Sequence, residues 1–311
     1  MSYATDTLLG MIQLNDNNLA DFEVSNLLQD APFLAIAAAV EASNGTVHKY
    51  LRKTAAPGFG FRDVNSGILN AAGEEDVVTR ILKYLDASLT RDIALARSHT
   101  KGPAAYMERE LQASLQAAFF GAERQIINGT GGIATGFEGL RDLFANLNNI
   151  MVVNAAGTSA GTVKTSVYLV RSAIDAVAVV AGNSGKIEIG EMNEVECRDS
   201  SDLPYTGLRI DVGGWLGFQA GNSYSAVRIA NITNETGKGL TDALIAEAIS
   251  RFPSGRGPTH ILCNRTTQMQ LQKSRTATSP TGAPAPFPTE VQGVPLVVTD
   301  AIANTETLLT T

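Results

Sequence analysis

The sequence predicts an α+β fold, in which one long helix leads into a sheet-rich region interrupted by two further helices. Three observations carry this. Met107, Leu111, Leu115, Ala118, Phe119, Ala122 and Ile126 recur at steps of three and four, the spacing of one apolar stripe along a helix. After residue 150 the pattern changes to short β-like runs separated by glycine- and asparagine-rich turns. Helical stretches at 240–252 and after Asn264 then punctuate those runs, and no internal repeat accompanies them.

Composition narrows the function classes. The 311 residues are 44% hydrophobic and 18% charged, which supports a real core in one large domain or two ordinary ones. Aromatics are sparse at 6% and glycine is abundant at 29 residues, so many turns and close backbone approaches are expected. A net charge of −7 argues against a protein whose main work is gripping nucleic acid. Residues 1–48 hold Asp6, Asp16, Asp21, Glu23, Asp30 and Glu41 and no Lys or Arg, which excludes a basic N-terminal arm.

The opening MSYATDTLLGMIQL lacks the charged and apolar regions of a signal peptide. APFLAIAAAV (31–40) is about half the length needed to span a bilayer. Cys197 and Cys263 make no disulfide framework and read as ordinary thiols of a cytoplasmic protein. The sequons at Asn128 and Asn231 read as chance matches.

Taken in order, residues 1–30 are polar and read as an extended arm that needs a neighbour to bury its scattered Leu and Ile. DAPFLAIAAAVEAS (30–43) predicts a short helix, capped by Asp30, with Pro32 in its first turn and Asn44-Gly45 ending it. TVHKYLRKT alternates, APGFG supplies a turn and FRDVN runs back, which predicts a hairpin over 46–66. That ribbon carries Lys49, Arg52, Lys53 and Arg62 and little apolar surface. An isolated two-stranded hairpin does not offset its own ordering entropy, so it is expected to lie on another subunit. Its cations would face carboxylates there, on the acidic arm or on the GEED turn at 73–76.

Glu74, Glu75 and Asp76 read as the acidic first turn of a helix rather than as a metal or acid–base cluster. Gly102-Pro103 opens the long helix, expected over 104–127. The runs TSVYLVRS, AVAVVAG, GKIEIG, GLRIDVGG and YSAVRIANIT are expected strands, with turns at 182–185 and 221–223. Leu240, Leu244, Ile245, Ala248, Ile249 and Phe252 make an amphipathic helix that Pro253 stops. THILCN reads as a buried strand whose Asn264 caps RTTQMQLQKSR, TATSPTGAPAPFP as a loop, and GVPLVVTDAI as a closing strand.

Gly129, Gly131, Gly132 and Gly136 could aim backbone N–H groups at a phosphate. The dinucleotide fingerprint, however, follows a strand and opens a helix, and here the order is reversed. GNSGKI and TGKGL both break the phosphate-loop rule. The cluster therefore reads as a structural turn. Asn128-Gly129 ends the helix through a left-handed residue, and Gly131-Gly132 let the chain double back. A positive φ at Gly129 or Gly131 would penalise a β-branched replacement. His48, His99 and His260 are the only histidines, no base adjoins either cysteine, and neither a GxSxG elbow nor zinc spacing is present. No catalytic, metal or cofactor-binding residue is expected, and no cofactor.

AAFFGAERQI followed at once by INGTGGIATGFEGL resembles the major capsid proteins of tailed bacteriophages, whose fold is the Hong Kong 97-like shell fold. VQGVPLVVTDAI is similar to that family's final strand, and outside these stretches the likeness is one of element order. The resemblance implies an N-terminal arm at 1–43, an extended loop at 44–90, a peripheral domain with the spine helix at 91–154, an axial domain and sheet at 155–270, and a return to the peripheral domain at 271–311. It implies a non-enzymatic subunit that assembles, in the host cytoplasm, into the icosahedral head of a virion enclosing double-stranded DNA. The implied partners are the chain itself in hexamers and pentamers, a separate scaffolding protein, a portal, decoration proteins, and DNA held without sequence-specific contacts. Some family members crosslink Lys to Asn, but no local motif here identifies such a pair. Two alternatives stand beside this reading: an encapsulin-like nanocompartment shell, and a soluble α/β enzyme acting on a phosphorylated ligand.

Overall fold

The computed structural model describes residues 30–67, 72–183, 187–277 and 283–310. Residues 1–29 of the expected arm, Ser184-Gly185 of one expected turn and residues 278–282 of the proline-punctuated loop lie outside the described residues. In chain order the helices are α1 (Pro32–Ile36), α2 (Ile93–Arg97), α3 (Pro103–Asn128), α4 (Leu140–Leu143), α5 (Asp242–Ser250) and α6 (Arg265–Ala277), with a 3₁₀ turn at Gly129–Gly131. The first eight strands are β1 (Ala38–Glu41), β2 (Val47–Ala55), β3 (Glu74–Ile81), β4 (Lys83–Asp86), β5 (Leu89–Asp92), β6 (Val152–Asn154), β7 (Lys164–Val170) and β8 (Val177–Ala181). The others are β9 (Glu188–Ile189), β10 (Asn193–Arg198), β11 (Pro204–Ile210), β12 (Val212–Ala220), β13 (Ala226–Thr233), β14 (His260–Cys263), β15 (Glu290–Val291) and β16 (Val294–Val298).

These elements form two compact units. One contains Tyr84–Ala122 and Lys186–Gly214. Its sheet is antiparallel in the order β10-β11-β5. The stripe along α3 explains its core. Tyr106 and Met107 are buried with Leu95, Ala96, Leu208, Ile210 and Val212, and Leu111, Leu115 and Ala118 pack against that cluster. Arg91 on β5 holds Glu110 on α3 through Nε and Nη2, the shorter bond being 2.9 Å.

The other unit contains Ala31–Lys83, Glu123–Gly185 and Trp215–Thr311. Its main sheet runs β15-β16-β14-β7-β13-β6. β7 is antiparallel to both neighbours, while β14 runs parallel to β16 and β13 parallel to β6. All eight residues of β13 are buried, the near-continuous apolar run expected of a strand covered on both faces. The amphipathic face of α5 buries Ile245 and Ala248. Asn264 caps α6 by accepting the Thr267 N–H at 2.9 Å. β1 pairs parallel with β8, which pairs antiparallel with β12.

Three expected elements differ. The helix expected over 30–43 stops at Ile36, and Ala38–Glu41 becomes β1 in register with Ala178–Ala181. Alanine is the best helix former, but its advantage is under about 1 kcal/mol per residue, and a backbone ladder to β8 outweighs it. Asp30 does not cap α1: the cap residue is Ala31, and the Phe33 and Leu34 N–H groups donate instead to Glu123. The helix expected from Glu74 is the strand β3, because Val77, Val78, Thr79 and Ile81 suit a strand and β2 supplies the partner. GLRIDVGG is two strands that part at the exposed Asp211, β11 turning to β5 and the Trp215 end of β12 to β8.

Candidate assembly surface

The return strand expected at 61–65 is not formed there: β2 pairs with β3, and residues 61–65 lie outside any strand. The ladder sorts the side chains into two faces. His48, Tyr50, Arg52, Val78 and Arg80 occupy the more buried face. The Tyr50 hydroxyl donates to the Ala220 carbonyl at 2.9 Å, and Arg80 pairs with Glu138, which anchors the root of the ribbon.

The opposite face is open. Leu51 and Val77 stand opposite each other and are 65% and 64% exposed. Lys49 and Lys53 flank them. Beyond the ladder, Phe59 is 95% exposed, Phe61 is fully exposed, and Val64 is exposed beside them. Burying a phenylalanine is worth roughly 1.5–3 kcal/mol, so two bare rings on one loop mark a surface meant to be covered.

The ribbon cations behave differently from expectation. Arg52 lies 3.9 Å from Asp76 and Lys53 lies 3.8 Å from Glu75, both directly across the same ladder. These acidic residues belong to the GEED segment placed on a neighbouring subunit by the sequence, and here they serve their own chain. Such exposed pairs contribute about 0–1 kcal/mol. Arg62 donates to the Ser66 carbonyl at 3.2 Å, and Lys49 is exposed. The sequence identified these four cations but overlooked Phe59, read there as part of the turn, and Phe61, read as the start of the returning strand. A usable signal was present: each phenylalanine stands among Gly, Pro and charged residues with no apolar neighbour to share a core.

The glycine cluster forms a closed corner at the end of α3. Gly129 has φ +58° and Gly132 donates to the Gly129 carbonyl at 2.9 Å. The Asn128 side chain donates to the Ala301 carbonyl at 2.7 Å, and Gln125 donates to the Phe137 carbonyl at 2.5 Å. Gly131 takes no positive φ, so the left-handed residue of the cluster is Gly129 alone. No phosphate cradle results, since Asp142 fills the corner by accepting the Thr130 and Gly139 N–H groups.

Glu123 clamps this corner from within. Its Oε2 accepts the Phe33 N–H at 2.8 Å and the Leu34 N–H at 3.2 Å, and Thr299 donates to Oε1. Burial pushes its carboxyl above the ordinary range, against the Thr299 and backbone bonds. The folded chain therefore keeps this proton to higher pH than the unfolded chain, and the group's contribution to stability falls as pH rises through that window. Glu123→Ala is expected to cost about 1–3 kcal/mol by leaving buried donors unpaired. Glu123→Gln should retain most of the stability and lose the pH slope. Urea unfolding of the full-length subunit at several pH values tests both, and a wild-type midpoint for Glu123→Ala would refute the clamp.

Among the described residues no cluster of His, Cys, Asp or Glu is arranged to hold a metal ion, and no helix is long and apolar enough to cross a membrane. Burial pushes the Cys263 thiol up to about 12, which keeps it protonated.

The ribbon is thus anchored at its root and carries an uncovered apolar face. The solved structures agree on the fold. The chain is similar to that in a structure of bacteriophage Epsilon15, with 21% identity, TM-score 0.75, and coverage of 100% of this chain and 99% of that one. It is similar to a chain of the bacteriophage JBD30 capsid, with 11% identity, TM-score 0.52, and coverage of 93% and 98%. The fold is Hong Kong 97-like. No curated protein matches the sequence. The family model described as major capsid protein GP7 matches residues 16–310, and the chain belongs to that family. Its role is structural, as the building unit of a bacteriophage capsid.

Proposed function

We propose that the β2–β3 ribbon and the loop carrying Phe59 and Phe61 are the element by which one copy of the chain grips the next in the shell. The observation that carries this is the pair of bare aromatic rings beyond the Leu51–Val77 face. Arg52 and Lys53 play the lesser part, because each already faces a carboxylate of its own ribbon.

In the fuller reading the copies form hexamers and pentamers of an icosahedral head around double-stranded DNA, assembled in the host cytoplasm. The chain has no catalytic role in it, and a separate scaffolding protein, a portal and decoration proteins complete the particle. The net charge of −7 suits a container that encloses DNA without gripping it. Residues 1–43 serve as arm, 44–90 as extended loop, 91–154 and 271–311 as peripheral domain, and 155–270 as axial domain.

The test compares two double variants of the full-length chain by sedimentation and negative-stain imaging. Phe59→Ser with Phe61→Ser is expected to abolish shells while leaving the unfolding midpoint of the subunit unchanged. Arg52→Glu with Lys53→Glu is expected to lower shell yield less, and mainly at low ionic strength, where screening is weak. Wild-type shell yield from the phenylalanine variant would overturn the assignment.

A further inference from the structure

We infer that His48 is a proton-sensitive pin at the root of the ribbon, and that a second proton on its ring unseats the ribbon while the body of the subunit stays folded. The consequence for the shell rests on the ribbon being the docking element, but the pin is a property of one subunit.

The ring is 6% exposed and both nitrogens are engaged. The Ser43 N–H donates to Nδ1 at 3.2 Å, and Nε2 lies 2.8 Å from Gln219 Oε1. Gln219 is oriented in turn, because its Nε2 donates to the Ile174 carbonyl at 3.0 Å. A backbone N–H can only donate, and the Gln219 oxygen can only accept. The chain of bonds from Ser43 through His48 and Gln219 to Ile174 therefore runs one way, and it admits only the neutral ring with its proton on Nε2.

A proton on Nδ1 would point at the Ser43 N–H, so two donors would face each other in a buried site. Ser43 cannot retreat cheaply. Its hydroxyl oxygen accepts the Lys49 N–H at 2.8 Å, and the Asn44–Val47 bridge that starts the ribbon follows it directly. The charged groups nearest the ring are paired with one another. Arg80 stands directly opposite His48 in the ladder, with Glu138 as its partner, and Arg52 is next along the same face, opposite Asp76. The Tyr50 ring lies 5.6 Å away, β12 presents the uncharged Gln219, and among the described residues no carboxylate contacts the ring. The contact thus belongs to the neutral ring, and a second proton on Nδ1 breaks it.

The experiment is hydrogen exchange on the full-length chain, kept unassembled at low concentration, at pH values of about 7.5 and 5.5, which bracket the reference value of a free histidine. Rates are corrected for the intrinsic pH dependence of exchange. Wild-type protection over residues 43–55 is expected to fall on the order of tenfold at the lower pH, the equivalent of one lost buried hydrogen bond, with the β7–β13 sheet unchanged. His48→Gln can accept from Ser43 and donate to Gln219 but cannot titrate, so it should show no such fall. Equal losses in both proteins, or none in the wild type, would overturn the pin. Should His48→Gln not fold, nitrogen-15 histidine spectra of the wild type decide. A neutral Nε2–H ring at the higher pH that titrates together with the ribbon amides supports the inference, and an Nδ1–H or charged ring there refutes it. Neither readout depends on shell formation, so failure of the docking role leaves the pin untouched, and the reverse holds as well.

Discussion

Glu306→Ala is expected to destabilise the subunit by about 3–5 kcal/mol, because it strands a buried arginine. Arg228 sits in the middle of β13 and its side chain is 1% exposed, while that of Glu306 is 3% exposed. The two meet at 2.8 Å. Every other arm of the guanidinium is also committed: Nε donates to the Ser166 hydroxyl at 3.0 Å and Nη1 to the Phe144 carbonyl at 2.9 Å. Ser166 in turn donates to Glu306 Oε2 at 2.6 Å. Removing the carboxylate leaves the buried charge with neutral partners only.

Two companion variants separate charge from packing. Glu306→Gln keeps an acceptor for Arg228 and Ser166 and should fall between wild type and alanine. The double variant Arg228→Met with Glu306→Leu removes both charges and should recover part of the loss, since a buried pair is often no better than apolar residues of similar size. Recovery is incomplete because the Phe144 carbonyl and Ser166 then lack partners. Urea unfolding of the full-length subunit measures the series. A loss below about 1 kcal/mol for Glu306→Ala would show that the pair is not what neutralises this arginine.

The parts of the fold that the sequence displayed are those whose periodicity packing enforces. The α3 stripe is legible because one face of a long helix meets one core, and β7, β8, β13 and β14 because strands covered on both faces are rich in apolar and β-branched residues. What was illegible depends on partners distant in the chain. Ala38–Glu41 is a strand only because β8 lies beside it, and Glu74–Asp76 looks like a helix start until β2 claims it. β10, whose Asn193, Glu194 and Glu196 are all exposed, shows too little apolar alternation to be found. The site divides in the same way. Ribbon cations are visible as letters, but their neutralisation by Glu75 and Asp76 appears only with the register. Arg228 within YSAVRIANIT was a clue that a counter-charge must exist, yet nothing local points to Glu306, 78 residues away.

The corner after α3 should tolerate replacement at Gly131 and refuse it at Gly129 and Gly139. At Gly129 the backbone is left-handed, with φ +58°, which costs a β-branched residue about 1–2 kcal/mol. A Cβ there would also overlap the Asp142 carboxylate and come within 2.5 Å of the Gly139 nitrogen. Asp142 would have to leave the Thr130 and Gly139 N–H groups that it caps at 2.8 and 3.2 Å, a further loss of about 1–3 kcal/mol. Gly139 has an ordinary extended φ of −114°, so its requirement is one of space. A Cβ would stand 2.5 Å from the Ile126 carbonyl oxygen and 2.7 Å from those of Gln125 and the Gly129 nitrogen, all of them backbone atoms that cannot swing aside. Gly139→Ala should therefore cost about 1–3 kcal/mol by overpacking alone. At Gly131 the nearest atom is Arg141 Nη1 at 3.1 Å, the end of a flexible side chain, so Gly131→Ala should stay within about 0.5 kcal/mol of wild type. Unfolding midpoints of Gly129→Val, Gly139→Ala and Gly131→Ala in the full-length chain should rank in that order of damage. If Gly131→Ala proved as costly as Gly129→Val, the strain would lie elsewhere in the corner and Asp142 would not be its capping residue.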